Sequence, residues 1–393
     1  MLEKVLDLWV TWYRKEIEMT IVKIKSRGTD NVAGRRNLLI NGAMQIAQRG
    51  ASTSFAHDGT TSGYSPDRWQ MSLGGTHEQL DGTVAQVADN PLGGTGKSLK
   101  WTTGTPESSY DADEYAYFTQ KVEAQNLNHI QNGNSNAKKL TLSFYVKSSI
   151  TGTYAVGLYK PDNTGRIFNK TYTISSANTW EKKSVTFVGD TAGGGIVNDN
   201  GQGLWVSWHL AVGSNYSGGD STSGWSNYSN DRWATGQAAN VMTTASATWQ
   251  MTECQLEVGD GASEFEHLSF AEELPLCQRY YYRTPSYINS GLGANESIAT
   301  GNMDGSAVGA FLVRFPQIMR DAPTAFEQSG TASNYSIRVT SDANGTAVPI
   351  SGDFTSDSAF VNLTSSGAGF TSGAGAFLRA ESPNAFLAWS AEL

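Results

Sequence analysis

The stretch that decides the fold is KKLTLSFYVKSS, residues 138–149. Leu140, Leu142, Phe144 and Val146 alternate with Thr141, Ser143, Tyr145 and Lys147, the two-residue period of a strand with one face on a core. TGTYAVGLYK (151–160) follows at once, and the two runs together read as a β-hairpin. Working outward, TYTISS (171–176), WEKKSVTFVG (180–189), LWVSWHLAVG (204–213) and TWQMTECQLEVG (248–259) continue the series. Strand-like runs separated by Gly, Asn and Ser turns predict an antiparallel jelly-roll β-sandwich.

Composition agrees with short strands and many turns. Of 393 residues, 39% are hydrophobic and 17% charged, with 42 glycines and only 10 prolines. Both percentages are low for a cytosolic enzyme, yet the aliphatic and aromatic content is enough to bury cores. The net charge of −9, without a long basic run, argues against nucleic-acid partners and against adhesion to an anionic bilayer. Neutral sugars stay open, because stacking and hydrogen bonds hold them. Cys254 and Cys277 do not make a disulfide framework. The five histidines are scattered and no CxxC occurs, so no zinc signature is present. No apolar run is long enough for membrane insertion. Glu3, Lys4 and Asp7 interrupt any signal-peptide core.

The first 25 residues differ from the rest: they hold neither Gly nor Pro. Leu6, Val10, Tyr13, Ile17 and Ile24, with Thr20, fall close to a heptad spacing. This predicts an amphipathic helix, either packed on its own domain or serving assembly and docking, although TIVKIK at its end also alternates like a strand. SRGTDNVAGRR (26–36) is a polar link, and Asn41-Gly42 marks a tight turn between apolar runs. At 269–283, SFAEELPLCQRYYYR suits a short helix capped by Ser269 with Glu272 three residues on, interrupted by Pro275. The tail is again strand-rich. The expected organisation is an N-terminal helix and linker (1–35), a jelly roll (36–268), a connecting segment (269–283) and a second, smaller C-terminal β-sandwich (284–393). The class is all-β.

One hexapeptide occurs twice: YSPDRW at 64–69 and YSNDRW at 228–233. The flanks do not match, so this is no duplication. The first copy reads as framework, with Trp69 and Met71 facing a core and Asp67 and Arg68 pairing with neighbouring loops. The second lies in GSNYSGGDSTSGWSNYSNDRWATG (213–236), rich in aromatic and poor in aliphatic residues. Tyr216, Trp225, Tyr228, Asp231, Arg232 and Trp233 form a candidate glycan-binding set: flat rings stack on the C–H face of a sugar, and polar groups meet its hydroxyls. The alternative is a long loop that folds over one end of the sandwich and packs its rings there.

Catalytic signatures are missing. GxSxG, HExxH, P-loop and GxGxxG patterns are absent, and His77-Glu78 lacks the second histidine of a zincin. No catalytic residue is nominated. Calcium could sit among Asp111, Asp113 and Glu114, or around Asp190, Asn198 and Asp199; solvated turn acids are the competing reading. No other cofactor is expected.

Taken in order, NLLINGAMQIAQRG, YSPDRW, LTLSFYVKSSITGTYAVGLY, TISSANTWEKKSVTFVGD and QLEVGDGASEFEHLSFAEELPLCQRYYYR resemble tail-fibre and related virion proteins of tailed bacteriophages over residues 30–283. The central region is similar to jelly-roll carbohydrate-binding modules. The resemblance implies a virion-attached, homotrimeric appendage that meets host surface polysaccharide, with the N-terminal helix anchoring it to other virion proteins of tail or head. It carries no uniform set of catalytic residues. In the last motif, Leu256 and Val258 are expected to face the core, Gly259 to Gly261 to turn the chain, and Phe265 and Phe270 to pin the exit segment. The three tyrosines of CQRYYYR, with Arg279 and Arg283, suit an inter-domain or inter-subunit joint. The long repetitive shaft of many fibres is missing, which fits a short spike, a fibre tip or a head fibre. A head or tail adaptor without glycan binding is one alternative. A polysaccharide depolymerase is the other, and its usual short periodic repeats are absent.

Overall fold

A computed structural model describes residues 35–59, 61–93, 96–284, 296–366 and 369–393. The heptad positions Leu6, Val10, Tyr13, Ile17 and Ile24 lie outside the described residues. Strands are numbered β1 to β23 along the chain, and every pairing among the described residues is antiparallel.

Two sheets form the larger unit. The six-stranded sheet runs β1 (Ser52–Ala56), β4 (Asp81–Val87), β5 (Ser98–Thr103), β13 (Thr248–Val258), β7 (Leu140–Ser148) and β10 (Glu181–Phe187). The seven-stranded sheet runs β12 (Ser226–Asn227), β9 (Arg166–Ile174), β8 (Gly152–Lys160), β11 (Gln202–Val212), β6 (Tyr115–Glu123), β3 (Gln70–Gly74) and β2 (Ser62–Tyr64). Leu140, Leu142, Phe144 and Val146 point inward from the first sheet and Leu204, Val206, Trp208 and Leu210 from the second, into one core. Aromatic pairs tie the layers: Phe144 meets Trp208 edge-on at 5.7 Å, and Phe118 stacks on Trp249 at 5.7 Å.

The expected hairpin between 138–149 and 151–160 does not form. β7 pairs with β10 and β13, whereas β8 pairs with β9 and β11 in the opposite sheet. The chain crosses the sandwich between the two strands. Tyr154 closes this arch by donating its hydroxyl to the Ile150 carbonyl at 2.7 Å and lying 3.1 Å from Ser148 Oγ. Both strands carry the same alternation because both bury one face. Period two cannot say whether the next strand lies beside its predecessor or across the core from it.

The smaller unit is also a two-sheet arrangement. β14 (Tyr281–Thr284), β23 (Leu387–Ser390) and β17 (Ala325–Gln328) make a three-stranded sheet. β19 (Asp342–Asn344), β18 (Tyr335–Arg338), β22 (Gly375–Ala380), β15 (Glu296–Met303), β16 (Val308–Arg314), β21 (Ser358–Thr364) and β20 (Ile350–Phe354) make a seven-stranded one. Trp389 and Leu387 from the first pack with Phe311, Val361 and Leu378 from the second.

Helix α1 (Phe270–Gln278) links the units, with Ser269 and Glu272 forming a capping box and Pro275 inside it. Phe270 is 46% exposed, so it does not pin the exit segment. It opens the helix on the solvent side, while Cys277 and Tyr280 point down onto Ile40 and Ile46. The joint itself is polar and buried. Arg68 pairs with Glu392, donates to the Lys121 carbonyl at 2.7 Å and lies 3.5 Å from the Tyr280 ring centre. Arg49 bridges the same Glu392 at 3.2 Å and stacks 3.6 Å from the centre of the Tyr281 ring. Gln48 donates through Nε2 to Asp67 and, at 2.8 Å, to the Tyr281 carbonyl. The first hexapeptide therefore supplies framework: Trp69 and Met71 are fully buried, and Asp67 and Arg68 hold the loops around them. Asn41 adopts φ 57° and grips both the Ile46 N–H and the Asp67 carbonyl through its side chain. That places the expected tight turn.

Candidate functional site: an aromatic sheet face under a polar loop

The outward side chains of the seven-stranded sheet are unusually aromatic. Register aligns Tyr159, Trp205 and Lys121 in one row across β8, β11 and β6. The next row holds Gly157, Ser207 and Thr119, all small. A third row sets His209 beside Tyr117. The middle row leaves a trough between two aromatic banks, and the 213–236 loop lays Trp233 over it. Trp233 meets Tyr117 and Tyr159 at 5.6 Å, His209 at 5.8 Å, Tyr228 at 5.9 Å and Trp205 at 6.0 Å, each ring steeply inclined to its own.

Main-chain bonds hold the loop there. Gly213 and Asn215 donate to the Glu114 and Ala112 carbonyls at 2.7 and 3.0 Å. Asn169, reaching out from β9, donates through Nδ2 to the Arg232 carbonyl at 2.6 Å. Tyr228 donates its N–H to the Gly165 carbonyl at 2.9 Å. The loop thus crosses the face of a sheet rather than closing one end of the sandwich.

The six nominated residues divide. Trp233 is 7% exposed and serves as the plug. Tyr228 is 38% exposed, packs 4.9 Å from Tyr159 and donates its hydroxyl to Asn230 at 2.8 Å. Tyr216 is half-buried against Tyr115 at 5.2 Å, beside the plug. Arg232 is half-buried and donates through Nη1 to the Asn227 carbonyl at 3.0 Å, while exposed Asp231 accepts from Ser229 and from the Gly219 N–H. Trp225 stands apart: its indole donates to the Val188 carbonyl at 2.7 Å and packs on Phe168 at the edge of the core. The structure thus brings Tyr228, Trp233 and, at one side, Tyr216 together with strand residues, and leaves Trp225 elsewhere.

The strand residues are those that loop composition could not nominate: Tyr117, Tyr159, Trp205 and Lys121. One signal was present. In LWVSWHLAVG, Trp205, Ser207 and His209 occupy the alternate face from Leu204, Val206 and Trp208, so an aromatic pointing away from the core was readable.

Burial sets the electrostatics. His209 is pushed down to about 3 by desolvation, so the plug rests on a neutral imidazole. Tyr117 is pushed up to about 12, chiefly by burial. Lys121 is lowered to about 8 by burial and then by neighbouring Arg68; its ammonium lies 4.5 Å from the centre of the Trp205 ring. The edge of the site sets half-buried Trp205 and Tyr159 and exposed Tyr228 beside Lys121, which donates to the Leu393 carbonyl at 2.7 Å, Gln202, whose Oε1 accepts from Trp205, and the exposed amides of Asn227 and Asn230, whose Oδ1 atoms accept from Arg166 and Tyr228. The set suits stacking and hydrogen bonding to an uncharged, hydroxylated ligand.

Several of the residues named for calcium are engaged with protein groups. Asp190 makes a two-point ion pair with Arg166 at 3.1 and 3.2 Å. Asp199 caps the Gly201 N–H at 2.8 Å, and Asn198 accepts from Asn128. Asp113 accepts from the Thr76 hydroxyl at 3.0 Å.

No protein-family model matches the chain, and no curated protein matches it. Among solved structures, the chain is similar to the enzymatically active domain of tailspike protein 4 of bacteriophage CBA120, at 11% identity and TM-score 0.29. The match covers 57% of this chain and spans 21% of the tailspike chain. It is also similar to a carbohydrate-binding module in complex with β-1,4-galactotriose, at 12% identity and TM-score 0.28, covering 57% of this chain and 100% of the module. A second module of carbohydrate-binding family 16 matches at 15% identity and TM-score 0.26, covering 56% and 99%. At such TM-scores these likenesses decide neither ligand nor reaction.

Proposed function

We propose that the chain is a non-enzymatic, sugar-binding fibre or spike component of a phage particle, and that the aromatic face of its jelly roll grips host surface polysaccharide. The observation that carries the sugar-binding half is the edge of Trp205, Tyr159 and Tyr228 beside Lys121, Gln202, Asn227 and Asn230. Aromatic rims exposed on a sheet face, framed by hydrogen-bonding side chains, recognise sugars by stacking on C–H faces and satisfying hydroxyls. The net charge of −9 suits a neutral glycan better than an anionic one. The virion half rests on the ordered motifs of residues 30–283, as do homotrimeric assembly and attachment through the N-terminal segment.

The test is retention on immobilised bacterial surface polysaccharides, with released sugar scored in the same tubes. Wild type, Tyr228→Ala and Trp205→Ala are compared. Retention without released sugar, weakened at least tenfold in both variants, is expected. Full retention by both variants moves the site off this face. Released oligosaccharide makes the protein an enzyme. No retention on any polysaccharide leaves a structural virion part. A hydrodynamic mass near one chain would sink the trimer.

A further inference from the structure

The sequence has no metal signature, yet the fold brings His77, Glu107 and Glu114 together. They come from three segments: the β3–β4 turn, the loop after β5 and the turn before β6. One ligand-type atom from each lies within 4.8 Å of the others. His77 Nδ1 stands 3.2 Å from Glu114 Oε1 and 3.6 Å from Glu107 Oε2. The side chains are 3%, 1% and 1% exposed.

How each carboxylate is held matters more than their proximity. Glu107 accepts the Glu78 N–H through Oε1 at 3.3 Å, and Glu114 accepts the Asp111 N–H through Oε2 at 2.8 Å. Each is thereby fixed through one oxygen and turns the other toward the imidazole. Among the described residues, Glu107 Oε2 meets no well-aligned donor, and His77 Nδ1 stands at ion-pair distance from both carboxylates. Buried polar groups this close are normally hydrogen-bonded, and unpaired ones cost stability.

The geometry points to a divalent first-row metal ion, with zinc the best fit, seated between His77 Nδ1, Glu107 Oε2 and Glu114 Oε1. Zinc bonds imidazole and carboxylate at about 2.0–2.2 Å, which puts tetrahedral ligand atoms about 3.4 Å apart. The two nitrogen–oxygen separations of 3.2 and 3.6 Å bracket that value. Two carboxylates and one neutral imidazole balance a dication. Calcium would ask for six or more oxygens and gains little from a nitrogen donor. The fixed carboxylates supply the outer hydrogen bonds that orient such ligands. None of these residues touches the aromatic edge described above, so the site stands apart from sugar binding.

Its consequence is structural. Glu114 offers its carbonyl to Gly213, and Ala112 offers its own to Asn215, so the Asp111–Glu114 turn carries the foot of the 213–236 loop. A Cβ on Gly75 would lie 2.4 Å from the Asp113 carbonyl, and one on Gly213 would lie 2.0 Å from the Asp111 carbonyl. The turn is clamped from both sides. A metal at this seat stiffens the base of the loop that plugs the aromatic face.

The test uses the full chain, stripped with EDTA and gel-filtered, then titrated with zinc chloride against a chromophoric chelator. Bound metal is counted by mass spectrometry and melting temperature is read in parallel. One zinc per chain is expected, with a higher melting temperature. Glu107→Gln and His77→Gln should each bind zinc at least 100-fold more weakly and lose that rise. Glu107→Gln keeps the size of the side chain, so a folded metal-free variant is obtainable even if His77→Gln misfolds. No zinc on wild type, undiminished zinc on both variants, or calcium held in preference to zinc would each overturn the proposal.

Discussion

Replacing Trp233 by alanine tests whether this residue organises the candidate site or offers its own ring to a ligand. The indole is 93% buried, with five rings around it at 5.6–6.0 Å. Burial of a tryptophan removes about 150–250 Å² from water, or about 4–6 kcal/mol at about 25 cal/mol per Å². Measured losses for such truncations run at about 3–5 kcal/mol, because the site collapses partly into the gap. A surface loop collapses more readily than a core, so about 3 kcal/mol is the expected loss. For a unit of this size, that lowers the melting temperature by about 6–12 °C. Hydrogen exchange should accelerate in residues 213–236 and along β11, while β7 and β13 in the far sheet stay protected. Trp233→Phe should recover much of the loss. Tyr228→Ala, by contrast, should leave the melting temperature within about 2 °C and weaken only retention on polysaccharide. The reasoning fails if Trp233→Ala melts with wild type and exchange in the loop is unchanged.

Glu392→Gln leaves buried Arg68 without its partner and deprives Arg49 of its 3.2 Å ion pair; a loss of about 3–5 kcal/mol should appear in thermal melts. His209 gives a pH signature. Its folded value is about 3 against an ordinary 6.5, so its contribution is fully present above pH 6.5 and is lost as pH falls toward 3, by at most about 5 kcal/mol. The melting temperature of wild type should therefore fall more steeply than that of His209→Phe between pH 6.5 and 4. Both thiols are buried and burial pushes them well up, so a thiol reagent should label neither Cys254 nor Cys277 in the native protein and both after denaturation. Native labelling of Cys277 would show that the joint around α1 opens.

The candidate site shows why a sequence reading stops where it does. Loop composition singled out Tyr228 and Trp233, whose rings the structure places 5.9 Å apart. It also singled out Trp225, which the chain turns back onto Phe168. Tyr117, Tyr159 and Trp205 escaped notice because each looks like an ordinary strand residue until register aligns it with the others. Glu114 was named as a calcium candidate beside Asp111 and Asp113, but its meeting with His77 was not legible: the two are distant in sequence, and only the β3–β6 pairing brings their turns together.

By itself, the sequence determined the all-β class, the positions of several strands of the larger unit, the inward face of β7, the capped helix at 269–283 and the framework role of the first hexapeptide. These follow from short-range rules: side-chain alternation, turn chemistry and capping. The tertiary structure alone decided that β7 and β8 lie in opposite sheets, that a loop plugs the aromatic face, and that His77, Glu107 and Glu114 converge. Alternation fixes which residues share a face. Which faces meet is fixed by packing among residues far apart in the chain, where several arrangements bury the same apolar side chains and only the fit of the whole core selects one.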